Sequence, residues 1–545
     1  MRINTPRLWL LLALLCLLPA LALAVPMTGS RGLMIAPTAS PAPTATPAPL
    51  PTPPPPSPPA ALAIVPQADP AAFSLRADTV GNFSGNAIAM AAQGGYAQLP
   101  GVLTFRGGSY RQNAAYGYAT APEGKLEIVW KKKIGALDNW SGVGWNGQPA
   151  LVQWPDALKQ AMNLYDDKKA QDSLIEGIYG TLDGHIYFLD LADGSATRDA
   201  INVGFPMKGS ISIDPRGVPL LYSGQGISSV GGRSGKIGLR IFSLINGEQL
   251  YLLNGRDSDA YRAHGAFDSV ALVDAASDTL IAPSENGLLY TLRLNTQYDP
   301  ATAALSIAPE RTAYRYRNSG GQGIENSVAV YGHYAYFTDN GALLQCVDLN
   351  TLTPVWAARV TDDSDSSVAL DPQADGRVLL FTACEVDKQK SGGKAYMRCF
   401  DALTGELLWE YAEACIYDPD LNGGVLASPL VGQGAIGDLV FFHVAKVADG
   451  GGALVALDKQ TGALAYRKAL PRYGWSSPVA VYGAAGEAHI ILGDSGGNLR
   501  LLDARTGAEL DRVELYGSIE GSPAVFGDML LIGTRGCYLY GVRIR

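Results

Sequence analysis

The 545-residue sequence predicts an all-β fold: an eight-bladed β-propeller of four-stranded antiparallel blades, its ring closed by an N-terminal strand at about 125–135 that completes the last blade. Three observations carry that prediction. A phrase of the form Asp-x-x-Thr-Gly, followed by an aromatic, recurs along the chain. Between its copies the sequence reads as four short strands. The first and last units are complementary parts of one blade.

The phrase is clearest in CFDALTGELLWE (Cys399 to Glu410), in ALDKQTGALAY around Asp458 and in LLDARTGAEL around Asp503. Looser copies are anchored at Asp190, Ser243, Arg293 and Asp348, and an eighth, without its tail, at Gly541. A fixed phrase returning roughly every 50 residues marks a repeat architecture. In the seventh unit SSPVAVYG, HIILGDSG, NLRLLDAR and AELDRVEL read as successive strands, with turn chemistry in DSGG and ARTG. Gly supplies positive φ in such turns, and Asp or Thr bonds the local backbone. Asp-x-x-Thr-Gly is therefore a hairpin between third and fourth strands. The aromatic after it (Trp356, Trp409, Tyr466, Tyr251) is expected between neighbouring sheets. Four-stranded units repeated radially leave few exposed strand edges. The eighth unit stops after its third strand at Arg545, while KLEIVWKKKIG (Lys125 to Gly135) carries Trp130 where a fourth strand puts its aromatic. Eight anchors and one donated strand make eight blades.

Composition sets the outer bounds. Apolar residues make up 47% of the chain, enough for a large core, and charged residues only 17%, with a net charge of −9 and 63 glycines. An acidic chain lacks the basic face that nucleic acid requires. Residues 1–24 follow the pattern of a signal peptide: Arg2 and Arg7, an apolar run, then Ala22-Leu23-Ala24 before Val25. Residues 25–66 form a Pro/Thr/Ala-rich linker that favours extended polyproline II. Residues 67–97 are a lead-in without an assigned structure, and 98–545 form the propeller. The expectation is an exported monomer, extracellular or at the cell surface, reaching a membrane only through an uncleaved signal segment. Export leaves Cys346, Cys384, Cys399, Cys415 and Cys537. An oxidising compartment permits bridges, and Cys384 could meet Cys399 across one hairpin. Cys346 and Cys399 both stand two residues before a repeat Asp, as buried thiols in equivalent core positions would.

The phrase, with Ser-Pro opening the next unit (Ser428-Pro429, Ser477-Pro478, Ser522-Pro523), resembles the PQQ-type repeat. That repeat builds the eight-bladed propellers of quinoprotein alcohol dehydrogenases and of the Bam-complex lipoprotein. TFRGGSYRQN (Thr104 to Asn113) resembles the FRG segment often found before such propellers. The resemblance spans about residues 100–545 and is closest to exported PQQ-like repeat proteins of Gram-positive bacteria with no established activity. It implies a fold, and fold alone does not carry function. Quinoprotein dehydrogenases hold their cofactor against a pair of adjacent cysteines, and this sequence contains neither such a pair nor a Cys-x-x-Cys-His haem segment.

Propellers bind at the mouth of the central channel, so candidate residues are those just before each innermost strand: Trp145, Lys208, Phe267, Asp268, Glu325, Asn326, Asp365, Trp475 and Glu520. Aromatics among carboxylates could stack a sugar face or accept a basic loop. Alternatively they are a solvated acidic rim. Asp418, Asp420 and Asn422 before Gly423 match the first half of a calcium loop, but Pro429 stands where the bidentate Glu belongs. Asp362, Asp363 and Asp365 are a second acidic loop. Asp257, Arg262 and His264 could form a small polar network, and His185, His333, His443 and His489 show no metal-ligand spacing. No catalytic constellation is recognisable. The leading expectation is a non-catalytic exported scaffold binding a protein or glycan at the cell envelope. The alternatives are a PQQ- and calcium-dependent oxidoreductase and a carbohydrate-active propeller.

Overall fold

A computed structural model describes residues 70–119, 123–145, 147–319 and 322–545. The signal and linker expectations for 1–66 lie outside the described residues. Eight small antiparallel sheets form a ring. With innermost strands first, blade 4 (Ala329–Tyr331, Tyr334–Thr338, Leu343–Asp348, Thr353–Arg359) and blade 7 (Val479–Tyr482, Ala488–Gly493, Asn498–Asp503, Glu509–Glu514) show the plain meander. Blades 1, 2, 3, 5 and 6 begin with innermost strands at Ala150–Gln153, Ile211–Ile213, Leu272–Asp274, Ala369–Pro372 and Leu430–Val431. Blade 8 takes Ala524–Phe526, Met529–Thr534 and Tyr538–Ile544 from the C-terminal end. Its fourth strand is Leu126–Lys133, antiparallel to Tyr538–Ile544, as the orphan strand predicts.

The repeated phrase has a physical reason at each position. The Asp side chain accepts backbone N–H groups of its own turn: Asp401 Oδ1 takes Leu403 and Thr404, and Asp503 Oδ1 takes Thr506. The Gly adopts positive φ, +77° at Gly405 and +70° at Gly462. It also serves as a seat for the aromatic of the preceding blade. A Cβ at Gly405 would overlap the Trp356 ring, and one at Gly462 would overlap Trp409. Each indole N–H then donates to a carbonyl beside that seat, Trp356 to Ala402 at 2.9 Å and Trp409 to Lys459 at 2.8 Å. Trp130 makes the same contact on blade 1, against Gly194 and the Leu191 carbonyl. The ring is thus closed by the same contact that joins its interior blades.

Two features were not anticipated. Arg76–Val80, in the lead-in, pairs with the outer strand Glu310–Arg317 and gives blade 3 a fifth strand. Short strands 385–386 and 423–424 extend blade 6. The five cysteines among the described residues are free, and four are buried. Cys399 lies opposite Phe381, with Cys384 further along that strand's end, so the two form no bridge. Burial holds both thiols well above their ordinary pKa range, Cys384 at about 12.

Candidate functional site at the open mouth of the channel

The central channel has two unlike ends, divided by a belt of serines. The Ser327 N–H donates to Ser367 Oγ, Ser367 to Ser428, Ser428 to Ser477 and Ser477 to Ser522, each at 2.9–3.2 Å. The Ser522 N–H reaches the Gly147 carbonyl, which carries the belt from blade 8 to blade 1. The Ser of Ser-Pro therefore satisfies an amide of the preceding blade where regular pairing has not yet begun.

Three residues deeper, the segment 101–116 fills the channel. It touches all eight blades in order. Gly101 and Val102 pair with blade 1, the Leu103 carbonyl accepts Ile213 of blade 2, and Thr104 Oγ1 donates to Ala271 of blade 3. The Ser109, Tyr110 and Gln112 carbonyls accept Val330, Leu370 and Val431 of blades 4, 5 and 6. The Asn113 amide pairs both ways with Ala480 of blade 7, and Ala115–Tyr116 run parallel to Val525–Phe526 of blade 8. Arg106 and Arg111, both fully buried, donate upward to carbonyls just past the belt. Arg106 reaches Pro429 and Pro478, and Arg111 reaches Val270 and Val328. Burial lowers both guanidinium pKa values, to about 9 and about 10.

The other end is open and acidic. An arc of six carboxylates runs from blade 3 to the edge of blade 6: Asp268, Glu285, Glu325, Asp363, Asp365 and Glu385. The oxygens of Asp268, Glu285 and Glu325 lie within 4.8 Å of one another. Lys208 pairs with Asp268 and lies 5.8 Å over the Trp145 ring, and His264 Nε2 is 3.0 Å from Glu285 Oε2. In the second half of the arc, Glu385 accepts the Asp365 N–H at 3.1 Å and the Asn422 amide at 2.6 Å, while Lys388 lies 3.4 Å from Asp363.

Crowded carboxylates in a protein wall hold their protons more tightly. Burial, then the charge of Asp268, pushes Glu285 up to about 7. Burial and Asp363 push Glu385 up to about 8, and burial raises Asp363 to about 6. Asp365 rises well above the carboxylate range through burial and through Glu385, Glu325 and Asp363 together. Burial pulls the Lys208 pKa down, but Asp268, Glu285 and Glu325 outweigh it and the group stays charged.

Of the nine residues expected at the mouth, Trp145, Lys208, Glu325, Asp365, Trp475 and Glu520 are half-buried there, and Asp268 lies just beneath. Phe267 has no exposed surface and stacks on Tyr290 at 5.8 Å. Asn326 is buried, its amide donating to Thr338 and Ser364. Trp475 donates to the Asn422 carbonyl, and Glu520 faces Arg535 at 3.7 Å. Asp418, Asp420 and Asn422 turn to different neighbours: Asp418 pairs with Lys446, Asp420 is exposed, and Asn422 serves Glu385. Asp362 is fully buried and accepts backbone N–H groups of 387, 388 and 389. Asp257 does not join His264; it pairs with Arg311. Glu285 and Glu385 were missed by sequence reasoning. Both follow the second strand of a blade, where Asp183, Asp339 and Asp494 also stand in other blades, so the sequence did not single them out.

The family model described as outer membrane protein assembly factor BamB matches residues 267–480. No curated protein matches the chain. Among solved structures, a quinohemoprotein alcohol dehydrogenase of Pseudomonas putida HK5 is similar with a TM-score of 0.55 and 12% identity, covering 82% of this chain and 80% of that one. BamB of Moraxella catarrhalis gives a TM-score of 0.48 at 14% identity over 77% of this chain and 99% of that one. The computationally designed Ika8 protein gives 0.43 at 12% identity, over 75% and 100%. At these identities the likeness is one of fold, the PQQ-like propeller.

Proposed function

We propose that this chain is a non-catalytic, exported binding scaffold whose acidic mouth receives a cationic segment of a protein partner at the cell envelope. One observation carries the reading: with one end of the channel filled by 101–116, the other end presents, among the described residues, six carboxyl groups against Lys208, Lys388 and Arg262. A lysine- or arginine-rich segment neutralises that arc, and Trp145 and Trp475 offer faces on which its side chains can stack. The mouth is built on strand ends that are held by the serine belt, so little ordering entropy is lost on binding. The match over residues 267–480 contains the whole arc, and its family is described as an assembly factor, which supports a protein partner over a neutral glycan.

The enzyme neighbour's name raises a quinone. Pyrroloquinoline quinone carries three carboxylates, which would face Glu285, Glu385 and Asp365, whose pKa values burial first and neighbouring carboxylates second already raise. The residues of this mouth do not fit that group. Calorimetric titration of the full chain with a lysine-rich peptide tests the scaffold reading. Saturable binding at pH 8 that weakens with salt and drops at least tenfold in Asp363→Asn, whose carboxyl is ionised there, supports it. Equal binding of a glutamate-rich peptide, or no binding of either, rejects it.

A further inference from the structure

The strand that the lead-in adds to blade 3, Arg76–Val80, pairs with Glu310–Arg317 so that Arg76 stands directly opposite Arg317. Both arginines are exposed. Like charges directly opposite one another on paired strands are destabilising. Among the described residues nothing offsets this pair, because neither guanidinium makes an ion pair or a hydrogen bond. The carboxylates around it are already engaged. Asp78, two residues along from Arg76, gives both oxygens to Arg315, with Oδ1 at 2.8 Å. Asp257 and Asp259 both pair with Arg311. Arg317 is nevertheless held in place, its guanidinium 5.2 Å over the Tyr261 ring, which Arg315 also covers at 4.6 Å. Tyr261 itself remains 45% exposed. The outcome is an unneutralised cationic pair on a chain whose net charge is −9.

We propose that Arg76 and Arg317 form a clamp for the phosphate monoester of a sugar, with Tyr261 as the platform for the sugar ring. Directly opposite residues have Cα atoms about 4.5–5.5 Å apart, so two long side chains can close on one ion. The planar guanidinium fork takes an oxyanion through two parallel N–H···O bonds. A carboxylate offers a single edge to such a fork. A tetrahedral phosphate offers an edge to each arginine, and a monoester carries a charge of about −1.5 to −2 at pH 7, which two cations match. That favours a phosphate monoester over an acidic side chain. The exposed phenol of Tyr261 presents an apolar face and a hydroxyl beside the clamp, and a sugar ring presents the same two features in return. The clamp uses none of the mouth carboxylates, so it stands apart from the peptide-binding reading.

The test is a phosphorus NMR titration of glucose 6-phosphate with the full chain at pH 8, without peptide. Saturable line broadening is expected, with affinity at least tenfold lower in Arg76→Gln and in Arg317→Gln. Tyr261→Leu should lose severalfold and Tyr261→Phe should retain the affinity. Arg377→Gln, which removes an exposed arginine paired with Asp375 on blade 5, should bind as the unaltered protein does. Thermal unfolding gives a second readout. Without ligand the Tm of Arg317→Gln should equal or exceed that of the unaltered protein, because repulsion is relieved, and glucose 6-phosphate should raise the Tm of the unaltered protein alone. Absence of binding overturns the clamp. So does binding that survives unchanged in both arginine variants, or that falls equally in Arg377→Gln. Acetate binding as tightly as glucose 6-phosphate would reject the phosphate, and inorganic phosphate doing so would reject the sugar platform.

Discussion

The two ends of the channel are built on the same eight innermost strands, yet they bury opposite charges and satisfy them to different degrees. Below the serine belt, Arg106 and Arg111 direct their guanidinium groups at six backbone carbonyls, leaving Arg106 Nε over, and the chain itself closes the end. Above it, carboxylates face one another with too few donors, and four acceptor oxygens have none. The closed end spends its buried charge on cohesion. The open end keeps its buried charge unneutralised, as a surface awaiting a cation must, and accepts a stability cost to do so.

The largest way to break this contrast is at the closed end. Arg111→Met leaves the carbonyls of Val270, Val328 and Phe105 without their donor, and should cost on the order of 4 kcal/mol in urea unfolding. A loss below about 1 kcal/mol would mean that 101–116 rests in the channel without holding it.

Acid should help the open end. Glu285, Glu385 and Asp339 have folded pKa values of about 7, 8 and 7, raised mainly by burial. A carboxyl raised in the folded state binds more protons there than in the unfolded chain, so its contribution is complete below the unfolded pKa and is lost as pH climbs through the folded value. His443, lowered by burial to about 4, acts in the opposite sense, but only below its ordinary value near 6.5. Between pH 6.5 and 8 His264, raised by its hydrogen bond to Glu285, acts in the same sense as the carboxyls. The protein should therefore lose about 2 kcal/mol over that interval. Stability that rises with pH there would contradict the picture of the mouth.

The belt between the ends is next. Ser428→Ala removes the acceptor of the buried Ser367 N–H and should cost roughly 1–2 kcal/mol, with little change in binding at either end. Smallest and opposite in sign, Glu285→Gln at pH 8 should gain about 1 kcal/mol. Its amide can accept from His264 while donating toward the neighbouring carboxylates.

The blades were legible in the sequence because each turn must solve the same local problem. Asp caps the turn, Gly takes positive φ and seats a ring, and the aromatic arrives from the preceding sheet, so the phrase recurs wherever the contact does. Where the contact changes, as at Arg293 in blade 3, the phrase fades. The channel filling was not legible. Segment 101–116 meets a different blade every two residues or so and does it mainly through backbone carbonyls, which impose no side-chain period. The mouth was half legible. Residues before the innermost strands could be found by counting from the serines, which located Lys208, Asp268, Glu325 and Asp365. Glu285 and Glu385 come from another strand junction, and only the packing of adjacent blades brings them into the arc. Phe267 sits at the expected position but turns its ring toward Tyr290, because an aromatic gains more from the interblade core than from water.

Closure by Leu126–Lys133 also imposes an order of events on biosynthesis. Glu127 and Arg545, which meet across the finished blade, are 418 residues apart in the chain. At roughly 5–20 residues per second, the early strand waits on the order of 20–80 s for its partner, with its edge unpaired and Trp130 unseated. An open edge beside an aromatic is a template for wrong pairing. For that interval the nascent chain carries an unpaired edge that only the last strand to be made can cover.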